Sequence, residues 1–97
     1  MPRVVLAAAI GLVSIAAAVA ASAEPPAGAT ACTGCHPASA QVTSPVPRLS
    51  GLDQAGIVRS LQDFRSGART ATVMDRIAKG FTDAEIQAIA AWYAAQK

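Results

Sequence analysis

The stretch Cys32-Thr33-Gly34-Cys35-His36 decides how this chain is organised. It contains both cysteines and the single histidine of the 97 residues. Residues three positions apart on a helical turn lie on one face, so the thiols of Cys32 and Cys35 would point to the same side of such a turn. The imidazole of His36 follows directly. We therefore expect these three reactive side chains to form one site.

Two cysteines at this spacing, followed at once by histidine, form the attachment signature of a c-type haem. Each thiol can bond one vinyl group of the same porphyrin, while the imidazole binds the iron. The motif predicts one covalent haem c, attached through Cys32 and Cys35 and ligated by His36.

Other uses of the same residues fit less well. A thioredoxin-like C-x-x-C pair belongs near a βαβ unit, and the chain has no alternating β-branched run of strand length. A zinc site needs a fourth ligand, and the adjacent Cys35 and His36 would have difficulty reaching one tetrahedral ion together. A Cys32–Cys35 disulfide is conceivable in an exported protein, but closing so short a loop would stabilise the fold little.

An apolar leader precedes the motif. It begins with a positive charge at Arg3, continues without charge over residues 4–21, and ends in the A-x-A cleavage sequence Ala21-Ser22-Ala23. This pattern predicts a secretory signal peptide over residues 1–23 and a monohaem domain over residues 24–97, with no membrane segment after cleavage. A retained membrane anchor is the alternative, because the uncharged run approaches the length of a bilayer span.

The composition of residues 24–97 is nearly neutral, with seven Lys and Arg against six Asp and Glu. This balance indicates neither a nucleic-acid-binding protein nor an acidic tail. A chain of roughly 70–80 residues or fewer rarely gains enough stability from its own core. We expect a covalent haem to supply the missing apolar interior.

Elimination indicates the second axial ligand. Residues 24–97 contain no other His or Cys, and Met74 is their only methionine. Methionine sulfur binds haem iron together with histidine in electron-transfer cytochromes, so Met74 is the candidate. Lys79 and Lys97 are the remaining possible donors, and both are expected to be solvated.

Hydrophobic patterning predicts three or four helices and no strand. Pro25 and Pro26 suit the start of a short helix over residues 27–35, and a loop rich in Pro, Ser and Gly follows over residues 37–52. An amphipathic helix is expected over residues 53–66, ended by Gly67. The side chains assigned to its buried face are Ile57, Val58, Leu61 and Phe64.

The last helix is the best-specified element. Thr82 and Glu85 form a capping box, and Phe81 can pack on Ile86 as a hydrophobic staple. The helix should continue to about residue 96. Its predicted core face consists of Ile86, Ile89, Ala90 and Tyr93.

The whole pattern resembles a class I cytochrome c. More specifically, Phe64-Arg65-Ser66-Gly67, the run from Thr72 to Thr82, Ile86 and residues 90–93 are similar to the cytochrome subunit of flavocytochrome c sulfide dehydrogenase. The likeness covers nearly all of residues 24–97, and its specific part lies at residues 64–93. It implies a small all-α class I cytochrome c fold with three to four helices around one haem. It also implies a periplasmic electron-transfer subunit that accepts electrons from a sulfide-oxidising flavoprotein and is not catalytic on its own.

The resemblance assigns two further residues. The run from Pro45 to Gly51 is similar to the family's P-x-L-x-G stretch, in which the proline carbonyl accepts the Nδ1 proton of the haem-ligating histidine and the leucine packs on the porphyrin. Those roles would fall here to Pro47 and Leu49. Two departures weaken the match: Pro37 replaces a Gly commonly found after the haem motif, and some cytochromes of this kind carry two haems.

Two other functions remain open. The first is a freely diffusing cytochrome c that carries electrons to a terminal oxidase, a reductase or another periplasmic redox protein. The second is a small peroxidase or gas-binding haem protein, which needs an open sixth position and a distal acid or base. The absence of a second histidine argues against the latter.

Charge patterning suggests where a redox partner would bind. Five basic residues lie between Arg59 and Lys79, against Asp63 and Asp75. Arg59 is expected to be solvated or to bind a haem propionate. Arg76 and Lys79 flank Met74, where a bound partner would shorten the electron path, so a flavoprotein is predicted to dock there.

Overall fold

A computed structural model of the chain describes residues 1–2 and 24–97. The rest of the predicted signal peptide, residues 3–23, lies outside the described residues. A 3₁₀ helix, Thr30–Gly34, is followed by α1 (Gln54–Ser66), α2 (Met74–Ala78) and α3 (Asp83–Ala95). Residues 24–97 contain no strand, and the all-α prediction is confirmed. None of the helices in this part of the chain is long and apolar enough to cross a membrane.

The ends of α1 follow from its sequence. Asp53 precedes the helix, and its Oδ2 accepts a hydrogen bond from the Gly56 backbone N–H at 2.9 Å. Gly67 follows the helix with a φ of 84°, a left-handed conformation that costs glycine little. The predicted helix is confirmed, with Asp53 as its cap rather than its first residue.

The start of α3 has the predicted capping box. Thr82 Oγ1 accepts from the Glu85 N–H, and Glu85 Oε1 accepts from the Thr82 N–H, both at 3.2 Å. Arg65 links α1 to the start of α3. It forms an ion pair with Asp83 and donates to the Phe81 carbonyl at 3.3 Å.

The core lies where α1 and α3 pack together and where the N-terminal segment closes over α3. Ile86 is fully buried, and the Tyr93 hydroxyl donates to the Ala29 carbonyl at 2.5 Å. This bond joins the segment before the 3₁₀ helix to the end of α3. The buried cluster consists of Ala29, Ile57, Val58, Ile86, Ile89, Ala90 and Tyr93.

The N-terminal helix is shorter and tighter than predicted, since it spans Thr30–Gly34 rather than residues 27–35. Gly28 explains the difference. Its φ is +86°, which is not helical, and a Cβ built on it would lie 2.6 Å from Cε1 of Phe81. The chain therefore turns at Gly28, close against the Phe81 ring, before the 3₁₀ helix begins.

Two further predictions about the scaffold need correction. Leu61 and Phe64, assigned to the core, are only half-buried, because they line a cavity beside it. No helix was assigned to the residues of α2, Met74–Ala78. At five residues it is too short for hydrophobic periodicity to reveal it.

The predicted loop between the 3₁₀ helix and α1 is fixed to the C-terminal end of α3. The Gly51 N–H donates to the Tyr93 carbonyl at 3.0 Å. Arg48 donates to the Lys97 carbonyl at 2.5 Å and to the Ala38 carbonyl at 3.1 Å. These bonds hold the loop in place along one wall of the cavity.

Candidate functional site

A cavity of about 860 Å³ opens between the 3₁₀ helix, the long loop and all three α-helices. Its volume falls within the range of about 300–1,000 Å³ that is usual for cofactor sites. Its walls are mainly apolar, with Leu61 and Phe64 of α1 and Ile89 of α3 among them. The structure places all six predicted site residues around this one cavity: Cys32, Cys35, His36, Pro47, Leu49 and Met74.

Backbone hydrogen bonds fold the motif into a compact turn. The Cys32 N–H donates to the Ala29 carbonyl at 3.2 Å, and the His36 N–H donates to the Cys32 carbonyl at 2.9 Å. Both cysteines are free, and no disulfide joins them. The turn thus brings two thiols and one imidazole to the same cavity.

The tautomer of His36 is set by its neighbour. Its Nδ1 lies 2.5 Å from the Pro47 carbonyl oxygen. A carbonyl can only accept, so Nδ1 carries a proton, and the tautomer that this bond selects has its lone pair on Nε2. That is the tautomer required of a histidine that binds metal through Nε2.

The thiol of Cys32 lies beside the ring of Tyr93. Burial raises the pKa of the Cys32 thiol, although the neighbouring Tyr93 hydroxyl acts in the opposite direction. Burial, together with the charge of a neighbouring Cys32 thiolate, raises the pKa of Tyr93 to about 12. Tyr93 is therefore protonated at neutral pH and remains a hydrogen-bond donor to Ala29.

Met74 is the first residue of α2 and is half-buried at the cavity wall. The N–H groups of Arg76 and Ile77 donate to the Val73 carbonyl at 3.0 and 3.1 Å, which sets the start of the helix. Val73 and Ile77 line the cavity beside Met74, yet they remain 47% and 38% exposed.

Two charged residues of the cavity wall, Asp53 and Arg69, were not among the predicted site residues. Arg69 lies in the wall together with Thr70 and Thr72, in the segment between Gly67 and Met74 for which the sequence predicted no structure. No motif marks this arginine, and only the folded contact between the segment and α1 reveals its position.

Comparison with known proteins decides the family. The chain is 33% identical over 70 residues to cytochrome c-554(548) of Halomonas halodenitrificans, a match that covers 68% of this chain and 84% of that protein. The chain belongs to the class I c-type cytochromes. Proteins of this family carry covalently bound haem c, and they act in electron transfer. This cytochrome therefore carries haem c, as the motif predicts, and an apolar cavity bordered by two cysteines, a histidine and a methionine suits that group.

Two other relatives of the cytochrome have more specific names. It is 42% identical over 62 residues to the cytochrome subunit of sulfide dehydrogenase of Chlorobaculum tepidum, covering 64% of this chain and 56% of that one. It is 43% identical over 65 residues to the thiosulfate dehydrogenase electron acceptor of Stutzerimonas stutzeri, covering 65% of this chain and 30% of the relative. The cytochrome thus spans about half, or less, of the length of these two relatives. No family model matches the chain.

Proposed function

We propose that the cytochrome is a periplasmic electron-transfer subunit that takes electrons from a sulfide-oxidising flavoprotein. The observation that carries the proposal is its similarity to the cytochrome subunit of sulfide dehydrogenase. The proposal assigns residues 1–23 to a cleaved signal peptide and residues 24–97 to one monohaem domain.

The proposal gives each residue of the cavity one role. Cys32 and Cys35 hold the haem through thioether bonds, while His36 and Met74 bind the iron. The haem iron supplies a one-electron couple, and methionine ligation raises its potential relative to ligation by two nitrogen donors. Pro47 keeps the His36 proton on Nδ1 and fixes the ring, as hydrogen-bond partners of metal ligands commonly do. Leu49 contacts the buried cluster and would pack on the porphyrin ring.

Mutation of Met74 tests the axial assignment. Met74→Ala removes the sulfur, so we expect the iron-to-methionine charge-transfer band to disappear and the reduction potential to fall. The haem should remain attached, because both cysteines are unchanged. If the band and the potential both stay as in the wild type, Met74 is not the ligand.

The surface beside Met74 supports a docking site for the partner. We call it the Met74 surface; it comprises the exposed side chains of Val73, Arg76, Ile77 and Lys79. Apolar side chains at the cavity wall exclude water, while two flanking cations favour a partner with acidic groups at its contact.

Charge reversal tests the docking site. We expect the purified holocytochrome to be reduced rapidly when it is mixed with its cognate flavoprotein and sulfide. Arg76→Glu with Lys79→Glu should slow this reduction. The matched control, Arg59→Glu with Lys97→Glu, changes the net charge equally but away from the Met74 surface, and should slow it much less. Equal slowing by the two double variants would refute docking at this surface.

A freely diffusing carrier is the second candidate function, and it is favoured by the similarity to the thiosulfate dehydrogenase electron acceptor. Sulfide with the flavoprotein would then fail to reduce the haem, and the two proteins would elute separately from a sizing column. Reduction by thiosulfate dehydrogenase, or oxidation by a terminal oxidase or reductase, would support this carrier function.

A further inference from the structure

Arg69 is held in the cavity wall by contacts with α1. Its Nη1 donates to Ser60 Oγ at 3.2 Å, and its guanidinium carbon lies 4.7 Å from the centre of the Phe64 ring. The Arg69 backbone N–H donates to the Asp63 carbonyl at 3.1 Å. Two contacts therefore hold the side chain and a third holds the backbone of Arg69, and Ser60, Phe64 and Arg69 all line the haem cavity.

The guanidinium of Arg69 has N–H donors that are available to a further acceptor. Among residues 24–97 the ion pair is that of Arg65 with Asp83, and Arg69 pairs with no carboxylate. Arginine has five N–H donors in a planar fork that matches the two oxygens of a carboxylate. Asp53 is the acidic residue of the same cavity wall, and its carboxylate already caps α1 through the Gly56 N–H.

Haem c brings two propionate carboxylates into this cavity. We propose that Arg69 and Ser60 form the binding site for one of these propionates, with Phe64 supporting the guanidinium plane. The proposal rests on the proposed placement of the haem in this cavity. It goes further by assigning a carboxylate-binding role to residues that the haem motif does not include.

The position of Arg59 provides the contrast. This arginine lies on the same helix as Ser60, but it lines a separate depression of about 500 Å³ with Val58, Gln62 and Gln87. It does not line the haem cavity. The sequence suggested two roles for Arg59, a solvated side chain or propionate binding. Its position fits the first role and not the second.

An unbalanced propionate charge stabilises ferric iron, so loss of the guanidinium should lower the reduction potential. For Arg69→Gln we expect the equilibrium constant of reduction to fall about three- to tenfold, where tenfold corresponds to about 59 mV for one electron. Arg69→Lys should restore most of the potential because it restores the charge. It should not restore the resonance Raman band of propionate bending, because the planar fork is lost.

The holoprotein variants Arg69→Gln, Arg69→Lys and Ser60→Ala, with Arg59→Gln as the matched control, test the proposal. We expect Arg59→Gln to leave the potential and the Raman band unchanged, and Ser60→Ala to shift the band. If Arg69→Gln fails to fold, Arg69→Lys and Ser60→Ala decide through the same band. An unchanged band in both of these variants, or equal potential shifts for Arg59→Gln and Arg69→Gln, would overturn the proposal. Absence of covalent haem or of the methionine band in the wild type would instead refute the proposed function.

Discussion

Replacement of Tyr93 by phenylalanine should remove one pH-dependent contribution to the stability of the holoprotein. The variant loses the hydrogen bond to the Ala29 carbonyl, but that carbonyl still accepts from the Cys32 N–H at 3.2 Å. No buried acceptor is left unpaired, so the cost near pH 7 should be about 0.5–1.5 kcal/mol, the net value of one hydrogen bond.

The sign of the pH dependence follows from the raised pKa of Tyr93. Its pKa of about 12 in the folded state exceeds the usual tyrosine value of 10.0. The stability that the neutral hydroxyl contributes is therefore complete below about pH 10 and is lost as the pH rises towards 12. Burial, the largest cause of the shift, persists when Cys32 is a thioether, whereas the contribution of the Cys32 charge disappears. The loss of stability at high pH should therefore be smaller than the full rise in the pKa of Tyr93 implies.

Chemical unfolding at a series of pH values measures this effect. The free energies of unfolding of wild type and Tyr93→Phe should differ near pH 7 and should converge as the pH rises above about 10. Ile86→Val is a suitable control, because it should cost a similar 0.5–1.5 kcal/mol or so without removing a titrating group. For Ile86→Val, the difference in free energy of unfolding from the wild type should stay constant up to pH 12. A difference for Tyr93→Phe that also stays constant would refute the reasoning.

Two further substitutions test the scaffold. Gly28→Ala should lower the free energy of unfolding by about 1–3 kcal/mol, because its φ of +86° is strained for alanine and the new Cβ would meet Phe81 at 2.6 Å. Gly34→Ala, where nothing lies within 4 Å of the Cβ, should cost much less in the same chemical unfolding measurement; equal losses would contradict this explanation. Asp83→Asn should cost at most about 1 kcal/mol, because its ion pair with Arg65 is largely exposed to solvent. A larger loss in thermal unfolding would show that this pair contributes more than an exposed ion pair usually does.

Local sequence signals predicted much of the fold. The cap at Thr82 with Glu85 and the left-handed Gly67 are short-range features, so the sequence alone locates the ends of α3 and α1 to within about a residue. The 3₁₀ helix was predicted less well, because the turn at Gly28 depends on its contact with Phe81, which is distant in sequence. Helix α2 has no cap and too few residues to show a period.

Sequence reasoning reached the candidate site by two different routes. The haem motif directly indicates the roles of Cys32, Cys35 and His36, and elimination indicates Met74. By contrast, neither spacing nor composition suggests the hydrogen bond between His36 and Pro47, which are eleven positions apart; this role came from the family resemblance. Leu61 and Phe64 were assigned to the core because an amphipathic pattern does not distinguish a face that packs on protein from one that packs on a cofactor.

Proton NMR of the reduced holoprotein is the most direct test of the central claim, which is that His36 and Met74 bind the iron of one haem held by Cys32 and Cys35. A methionine bound to ferrous haem lies in the ring current of the porphyrin, so its methyl and methylene protons resonate far upfield. We predict one such set of upfield signals in the wild type and none in Met74→Leu. A wild-type spectrum without these signals, or a Met74→Leu spectrum that retains them, would contradict the account.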